Sequence, residues 1–291
     1  MYKTKCPICG YEPKRLSPKD IGFVRGNTER FKNKKFKLWK CPKCLSIISL
    51  EHIDFVDIYK DYPLNNRKLD IFAKGTLSNL LKRLISCGLK TEDKILDYGC
   101  GNGIFIDYLN SKGYKNVIGY DPYVKGFDKI PEKYEKFDWV IANDVIEHAD
   151  NPFELIKDAL TYLKEGGLMY VGTADSLPVE MDNLEPHVMR LHQPFHRVII
   201  TQASLIYIGV RLRLEPIKIY TRSYMDTLIP FANYRFLDEF SKALGHNMDK
   251  ALDSSNSKIV FKKPWLLFYA FFGYFFPSAY EPAIVWKNKT N

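Results

Sequence analysis

The sequence has little of what membrane insertion or export requires. Its longest apolar stretch, Trp265 to Phe276, runs twelve residues, which as a helix would rise about 18 Å against a hydrocarbon layer of about 30 Å. A spanning helix is therefore disfavoured. The opening residues, MYKTKCPICG, hold no apolar run followed by a small-residue cleavage site, so export is not expected, and cysteines in a cytoplasm stay reduced. That weakens a disulfide framework as the reading of the six cysteines. No internal repeat is visible. Acid is scarce at one end: residues 1 to 44 hold three Asp or Glu against thirteen Lys or Arg, whereas the remaining residues hold 31 acidic against 30 basic. The formal net charge of +9 thus belongs to an N-terminal module. With 46% hydrophobic residues over 291 positions, a substantial core plus a smaller module is expected, and disorder is not.

Four cysteines form two matching knuckles, Cys6-Pro7-Ile8-Cys9 and Cys41-Pro42-Lys43-Cys44, separated by 31 residues. Brought together they supply the four thiolates of a tetrahedral zinc site, and so short a module needs such a clip because it cannot build much core. An iron-sulfur centre or a redox pair would use the same residues, but nothing adjacent suggests electron transfer. Cys87 ends an apolar helical pattern and Cys100 sits in a glycine loop, so both read as packing residues. Between the knuckles, RFKNKKFKLWK mixes basic residues with Phe31, Phe36 and Trp39. Such a stretch could track a phosphate backbone and stack bases. It reads equally as a ribbon whose aromatics pack inward while its lysines face water.

Beyond a connector, Leu77, Leu80, Leu81 and Leu84 recur at helical spacing and Gly88 marks the end of that helix. Strands and helices then alternate: KILDYG, GIFIDYLNSKG, NVIGYD, FDWVIAN, NPFELIKDALTYLKEGG and LMYVGT. The order predicts an α/β fold whose parallel sheet binds ligands at the carboxyl ends of its strands. A polar connection with His187, His192 and His196 follows, then a helix TQASLIYIG, a strand VRLRLEPIKIY and a last strand over 257 to 263, SKIVFKK.

The loop KILDYGCGNG, residues 94 to 103, raises two ligands. A nicotinamide dinucleotide also takes a glycine turn and an acid at the next strand's end, and Asp121 lies 18 residues beyond Gly103. Yet the glycines are spaced Gly99-x-Gly101-x-Gly103, and a carboxylate at Asp97 would repel a pyrophosphate. It suits S-adenosylmethionine, whose ammonium Asp97 can meet, while the glycines admit the ligand to the backbone and Asp121 accepts from the ribose hydroxyls.

Residues 94 to 174 resemble the class I S-adenosylmethionine-dependent methyltransferases: KILDYGCGNG is similar to their first motif, VIGYDP to the second strand with its ribose acid, FDWVIANDVIEHADNP to the fourth strand, and LKEGGLMYVGT to the fifth. The resemblance implies a Rossmann-like sheet in which Asp97, Gly99, Cys100, Gly101 and Gly103 enclose the methionine end. Asp121 with Pro122 holds the ribose, and Asn143 with Asp144 approaches from the fourth strand. Only sixteen residues separate Asp121 from Asp138, so the usual third strand is compressed or absent and the segment PYVKGFDKIPEKY must close the adenine pocket, with Tyr123, Phe127 and Asp128 as candidates. The segment from His196 through Thr201 to Ser204 is similar to one that follows the fifth strand in many small-molecule methyltransferases. The zinc module resembles an arrangement found with deoxysugar-nucleotide methyltransferases and, in general layout, with guanine methyltransferases of ribosomal RNA. No N-P-P-Y or D-P-P-Y tetrad follows the fourth strand, which argues against an adenine amine as acceptor.

The resemblance implies methyl transfer by in-line displacement, with His196, His192 and His148 as candidate bases, since histidine titrates near neutrality. Asp144, Glu147 and His148 also resemble the E-x-x-E-H segment by which certain quinone-precursor O-methyltransferases hold a divalent ion, with packing or cofactor contact as the alternative. Tyr59 and Tyr62 are lid candidates. The expected layout is a zinc-ribbon module over 1–50, a connector and leading helix over 51–90, the cofactor-binding domain over 91–263 and an aromatic extension over 264–291. The expected acceptor is a small molecule such as a sugar nucleotide, with RNA as the alternative and a non-catalytic scaffold as a third. The aromatic run is expected to serve oligomer or internal packing, or contact with the inner face of a membrane by an otherwise cytoplasmic protein.

Overall fold

The structure, a computed structural model, describes residues 5–131, 136–278 and 280–289. Its N-terminal ribbon consists of β1 (Ile21–Arg25), β2 (Lys35–Lys40) and β3 (Ile47–Ser49). Of the two readings of residues 30–40, the aromatics pack inward: Phe36 and Trp39 are fully buried, and Phe31 meets Phe36 and Phe195 edge-on. The lysines between them carry the surface, as the inward-packed reading expects. Short α1 (Phe55–Tyr59) follows, then α2 (Ile71–Ser86), which buries Leu77, Leu80, Leu81 and Leu84. Asp70 caps α2 through the Ala73 amide, and Gly88 beyond its end takes φ +103°.

The central elements are β4 (Ile95–Tyr98), α3 (Ile104–Ser111), β5 (Val117–Tyr120), β6 (Phe137–Asn143), α4 (Pro152–Leu160) and β7 (Leu163–Gly172). After them come α5 (Val188–Leu191), β8 (Val198–Ile199), α6 (Gln202–Arg211) and β9 (Leu214–Arg222). The chain ends with α7 (Tyr234–Ala243), α8 (Met248–Leu252), α9 (Ile259–Lys262), α10 (Pro264–Phe272) and β10 (Tyr280–Asn288). A six-stranded sheet runs β5-β4-β6-β7-β10-β9. The first four strands are parallel, and β10 is antiparallel to both its neighbours. Among the described residues no strand lies between β5 and β6, so β5 forms the edge, as the short spacing after Asp121 predicts.

Two expectations are corrected. SKIVFKK is not a strand: Ser254–Lys258 forms a 3-10 turn and Ile259–Lys262 the short α9. The last strand is instead β10, within the segment expected to be an addition, and it fills the place between β7 and β9. Its Ile284, Val285 and Trp286 are buried, so the C-terminal residues complete the sheet. The helix expected through LKEGG also stops early, at Leu160. From Leu163 the chain pairs with Phe137 of β6, which buries Leu163.

The ribbon is continuous with the rest of the protein. Strand β3 pairs with β8, making a second sheet β1-β2-β3-β8. Cys6, Ile8, Trp39 and Cys41 pack in one core with Leu96, Val140 and Ile284 of the main sheet.

Candidate active site

Strand β4 ends at Tyr98 and delivers Gly99, Gly101 and Gly103 at φ +81°, +53° and +80°, a backbone that side-chain-bearing residues rarely adopt. A Cβ on Gly99 would stand 2.5 Å from Val145, and one on Gly103 2.7 Å from Phe127. The loop then opens into α3. It borders a cavity of about 450 Å³ lined by Asp97, Gly99, Cys100, Gly101, Asp121, Pro122, Asn143 and Asp144. Eight of the nine residues expected at the cofactor thus line one cavity; Gly103 is the N-cap of α3, supported by Phe127. Of the adenine-side candidates, Tyr123 lines the cavity, Phe127 accepts from the Asp121 amide through its carbonyl, and Asp128 accepts from the Gly126 amide.

The cavity is acidic. Burial first, and then the charge of Asp121, pushes the Asp97 carboxyl up to about 7. Burial also raises Asp121, against the stabilising Tyr123 and Gly101 amides at 2.9 and 3.1 Å. Asp144, held at φ +55°, is raised by burial while the Tyr224 hydroxyl, donating at 3.0 Å, and the nearby Arg67 favour its charge. Three carboxyl groups around one space, opposed by Arg67, favour a cationic occupant over a phosphate.

The segment from residue 55 to residue 67 covers one side of this space. Phe55 and Tyr59 of α1, Tyr62, Leu64, Asn65 and Arg67 all line it. Tyr123 stacks on Tyr59 with ring centroids 4.8 Å apart, and Asn102 of the glycine loop donates to the Arg67 carbonyl at 2.7 Å. Leu77 and Leu80 of α2 form a further wall.

The three candidate bases form one cluster, with His192 buried and His148 and His196 half-buried. His148 and His196 ring centroids are 4.8 Å apart, and those of His196 and His192 5.0 Å. His148 lines the cavity, its Nδ1 2.7 Å from the Tyr59 hydroxyl. His196 stands behind it with Nδ1 2.7 Å from the Arg190 carbonyl, and His192 has Nδ1 2.8 Å from Asn27. Burial lowers all three, holding His148 and His192 well below the ordinary imidazole range and His196 at about 4. They are neutral at pH 7. One nitrogen from each of His148 and His196 and one Glu147 oxygen lie within 4.8 Å of one another. Asp144 points elsewhere, to Tyr224. Burial followed by Asp144 raises Glu147, whose carboxyl accepts from Thr173 at 2.8 Å.

Residues 69–206 match the family described as "Methyltransferase domain". By that match this segment is a methyltransferase domain, and its parallel strand order β5-β4-β6-β7 belongs to a Rossmann-like sheet. Over 116 residues it is 28% identical to the tRNA U34 carboxymethyltransferase of Campylobacter hominis, an alignment covering 33% of this chain and 40% of that protein. Over 107 residues it is 31% identical to the mitochondrial ubiquinone biosynthesis O-methyltransferase of Rattus norvegicus, covering 28% of this chain and 31% of that one. The chain therefore spans less than half the length of these curated relatives. Among solved structures, a SAM-dependent methyltransferase from Methanosarcina mazei overlays with a TM-score of 0.42 at 14% identity, over 72% of this chain and 98% of that one.

The methyltransferase domain is joined to a four-sulfur site. Sγ of Cys6 lies 3.5 Å from that of Cys44, and Sγ of Cys9 3.7 Å from that of Cys41. Four sulfurs about 2.3 Å from a zinc ion stand about 3.8 Å apart along the tetrahedron's edges, so the set fits. The Cys44 sulfur and burial raise the Cys6 thiol, and burial pushes the Cys41 thiol up to about 11, against the backbone amides of Ile8 and Cys9 and of Lys43 and Cys44 that face the two sulfurs; a bound zinc ion would stabilise the thiolates. Thr201 and Ser204, similar to residues of an acceptor region, serve this joint instead. Both hydroxyls reach the Cys44 carbonyl, at 3.4 and 3.3 Å, and Thr201 caps α6. Arg197, fully buried, donates to Ser49, to the Glu51 carbonyl and to Asp150, fastening the ribbon beside the His148 turn.

Proposed function

We propose that the protein transfers a methyl group from S-adenosylmethionine to a hydroxylated small molecule, of which a sugar nucleotide is the favoured class. The observation that carries this reading is the acidic cavity: Asp97, Asp121 and Asp144 surround a glycine loop with its backbone open, as a cationic ligand with ribose hydroxyls requires. When bound, that ligand supplies a methyl group on a positively charged sulfur. Asp97 takes the ammonium, Asp121 accepts from the ribose, and Tyr123 closes the adenine side. The lid from Phe55 to Arg67 excludes water, and in-line transfer needs mainly alignment. His148 is the base of choice: it lines the cavity, it is neutral, and with Nδ1 donating to the Tyr59 oxygen its Nε2 lone pair can take the acceptor's proton. His192 and His196 position it. The four cysteines hold a structural zinc ion.

A second reading, methylation of RNA, is supported by the relatives named for tRNA and by the basic ribbon. Both readings meet one test. Purified protein with labelled methyl donor is offered sugar nucleotides, phenolic metabolites and tRNA. Label in a small molecule is the expected result, and label confined to RNA that disappears steeply with salt would replace it by the second reading.

A further inference from the structure

Large apolar side chains left in water gather on one helical stripe. Trp265, Phe268 and Phe272 recur at intervals of three and four residues along α10, so they share a face, and the exposed Phe275 (74%) follows in the next turn while Phe261 (79% exposed) precedes on α9, across the non-helical Lys263. The opposite stripe is used internally: Val260, Leu266 and Ala270 pack against Phe236. Phe271 extends the outer face sideways through Phe231 to Phe72, with centroid distances of 5.7 and 6.1 Å. Exposed Ile71, Leu228 and Ile229 add to it. An apolar face of this size is built to be covered.

Its charges say by what. From Ser254 to Ser278 the sequence holds Lys258, Lys262 and Lys263 and no Asp or Glu, and the Lys263 ammonium lies 5.4 Å from the Trp265 ring centroid. A second copy meeting this face through a two-fold axis would bring lysines against lysines. Aromatic residues edged by lysines match the boundary of an anionic bilayer, where rings enter the headgroup layer and ammonium groups meet phosphates. No helix among the described residues is long and apolar enough to cross a membrane, so contact lies on the surface. We propose that this face docks the protein on an anionic lipid bilayer.

The docked orientation sets the acceptor's route. Helix α2 starts in the face with Ile71 and Phe72, and one to two turns later its Leu77 and Leu80 wall the cavity. An amphiphilic acceptor held in the interface would reach the cavity from the bilayer side; this clause rests on the methyl-transfer reading, whereas the docking does not.

The test is sedimentation of the full chain with vesicles of phosphatidylcholine, alone and mixed with phosphatidylglycerol. The protein should pellet with the mixed vesicles and much less with the neutral ones. Phe268→Ser with Phe272→Ser should weaken binding at least tenfold, and Lys258→Gln, Lys262→Gln and Lys263→Gln together should weaken it by about fivefold per lysine. Both variants alter exposed side chains, so circular dichroism and S-adenosylmethionine binding should match wild type. Wild-type protein left in the supernatant with both vesicles, or variants that pellet like wild type, would overturn the proposal. So would a dimer seen by light scattering that the phenylalanine variant dissolves while vesicles capture nothing. Vesicle binding without methyl transfer to any interfacial acceptor would sink the acceptor clause and leave the docking standing.

Discussion

Asp97 is buried beside Asp121 with its titration displaced to about 7, and a carboxyl group in that state is sensitive to any cation placed next to it. A bound ammonium favours the ionised form and lowers the pKa. Below neutrality, then, binding must release a proton that the free protein holds; above it, none. The affinity for S-adenosylmethionine should be greatest just above neutrality and fall by up to about tenfold per pH unit below 7, with a separate fall at alkaline pH as the ligand's own ammonium loses its proton. Titration calorimetry across that range would show it, and Asp97→Asn should weaken binding while flattening the slope. A slope that survives in the variant would assign the proton to another group. For the chemical step, His148→Gln should lower kcat by about 10²- to 10⁴-fold and leave the dissociation constant for the methyl donor near wild type. A matching loss of donor affinity would make His148 part of the binding wall and remove it as base. Asp97, the glycines and Asp121 were legible because a strand, a turn and the next strand's end form a local pattern. Arg67 and Tyr224 were not, since they reach Asp144 from outside that unit with no spacing of their own to mark them.

At the level of elements, the short apolar run Ile259-Val260-Phe261 between polar residues in SKIVFKK imitates a strand, but the place between β7 and β9 is already filled. The place is taken by β10, whose Trp286 is buried beneath α6. Sequence pattern registers local apolar runs, whereas the choice between two strand candidates rests on which one fits against β7 and β9. The central parallel strands posed no such choice, because each carries a buried apolar core and is followed by a helix or turn. The fit of β10 is tight at Gly209 of α6, where a Cβ would stand 2.4 Å from the Trp286 ring, with three ring carbons within 2.7 Å. A buried indole held between helix and sheet has little room to withdraw. Gly209→Ala should therefore destabilise the protein by about 1–3 kcal/mol through overpacking. Urea unfolding should show this as a lower midpoint with an unchanged slope; an unchanged midpoint would mean that α6 shifts freely over the sheet.

Over the whole molecule, the ribbon and the methyltransferase domain depend on each other more than the separation of the cysteine pairs from the glycine loop in sequence suggests. Strand β3 is completed by β8, Arg197 bonds to both sides, and Cys6, Ile8 and Cys41 pack in one core with Leu96 and Ile284. An ion at the four sulfurs would therefore stabilise the common core as well as its own knuckles. Metal binding to preorganised thiolates contributes folding free energy directly. Its loss should move a single cooperative melting transition of the entire chain downward, by roughly 10 °C or more, and weaken S-adenosylmethionine binding through the His148 turn, on which Arg197 rests. Calorimetry of the protein before and after chelation, and of Cys41→Ser, would measure the shift, with elemental analysis counting the zinc removed. A module folding on its own would instead melt separately at low temperature and leave the main transition and donor binding where they were, and that result would refute the shared core.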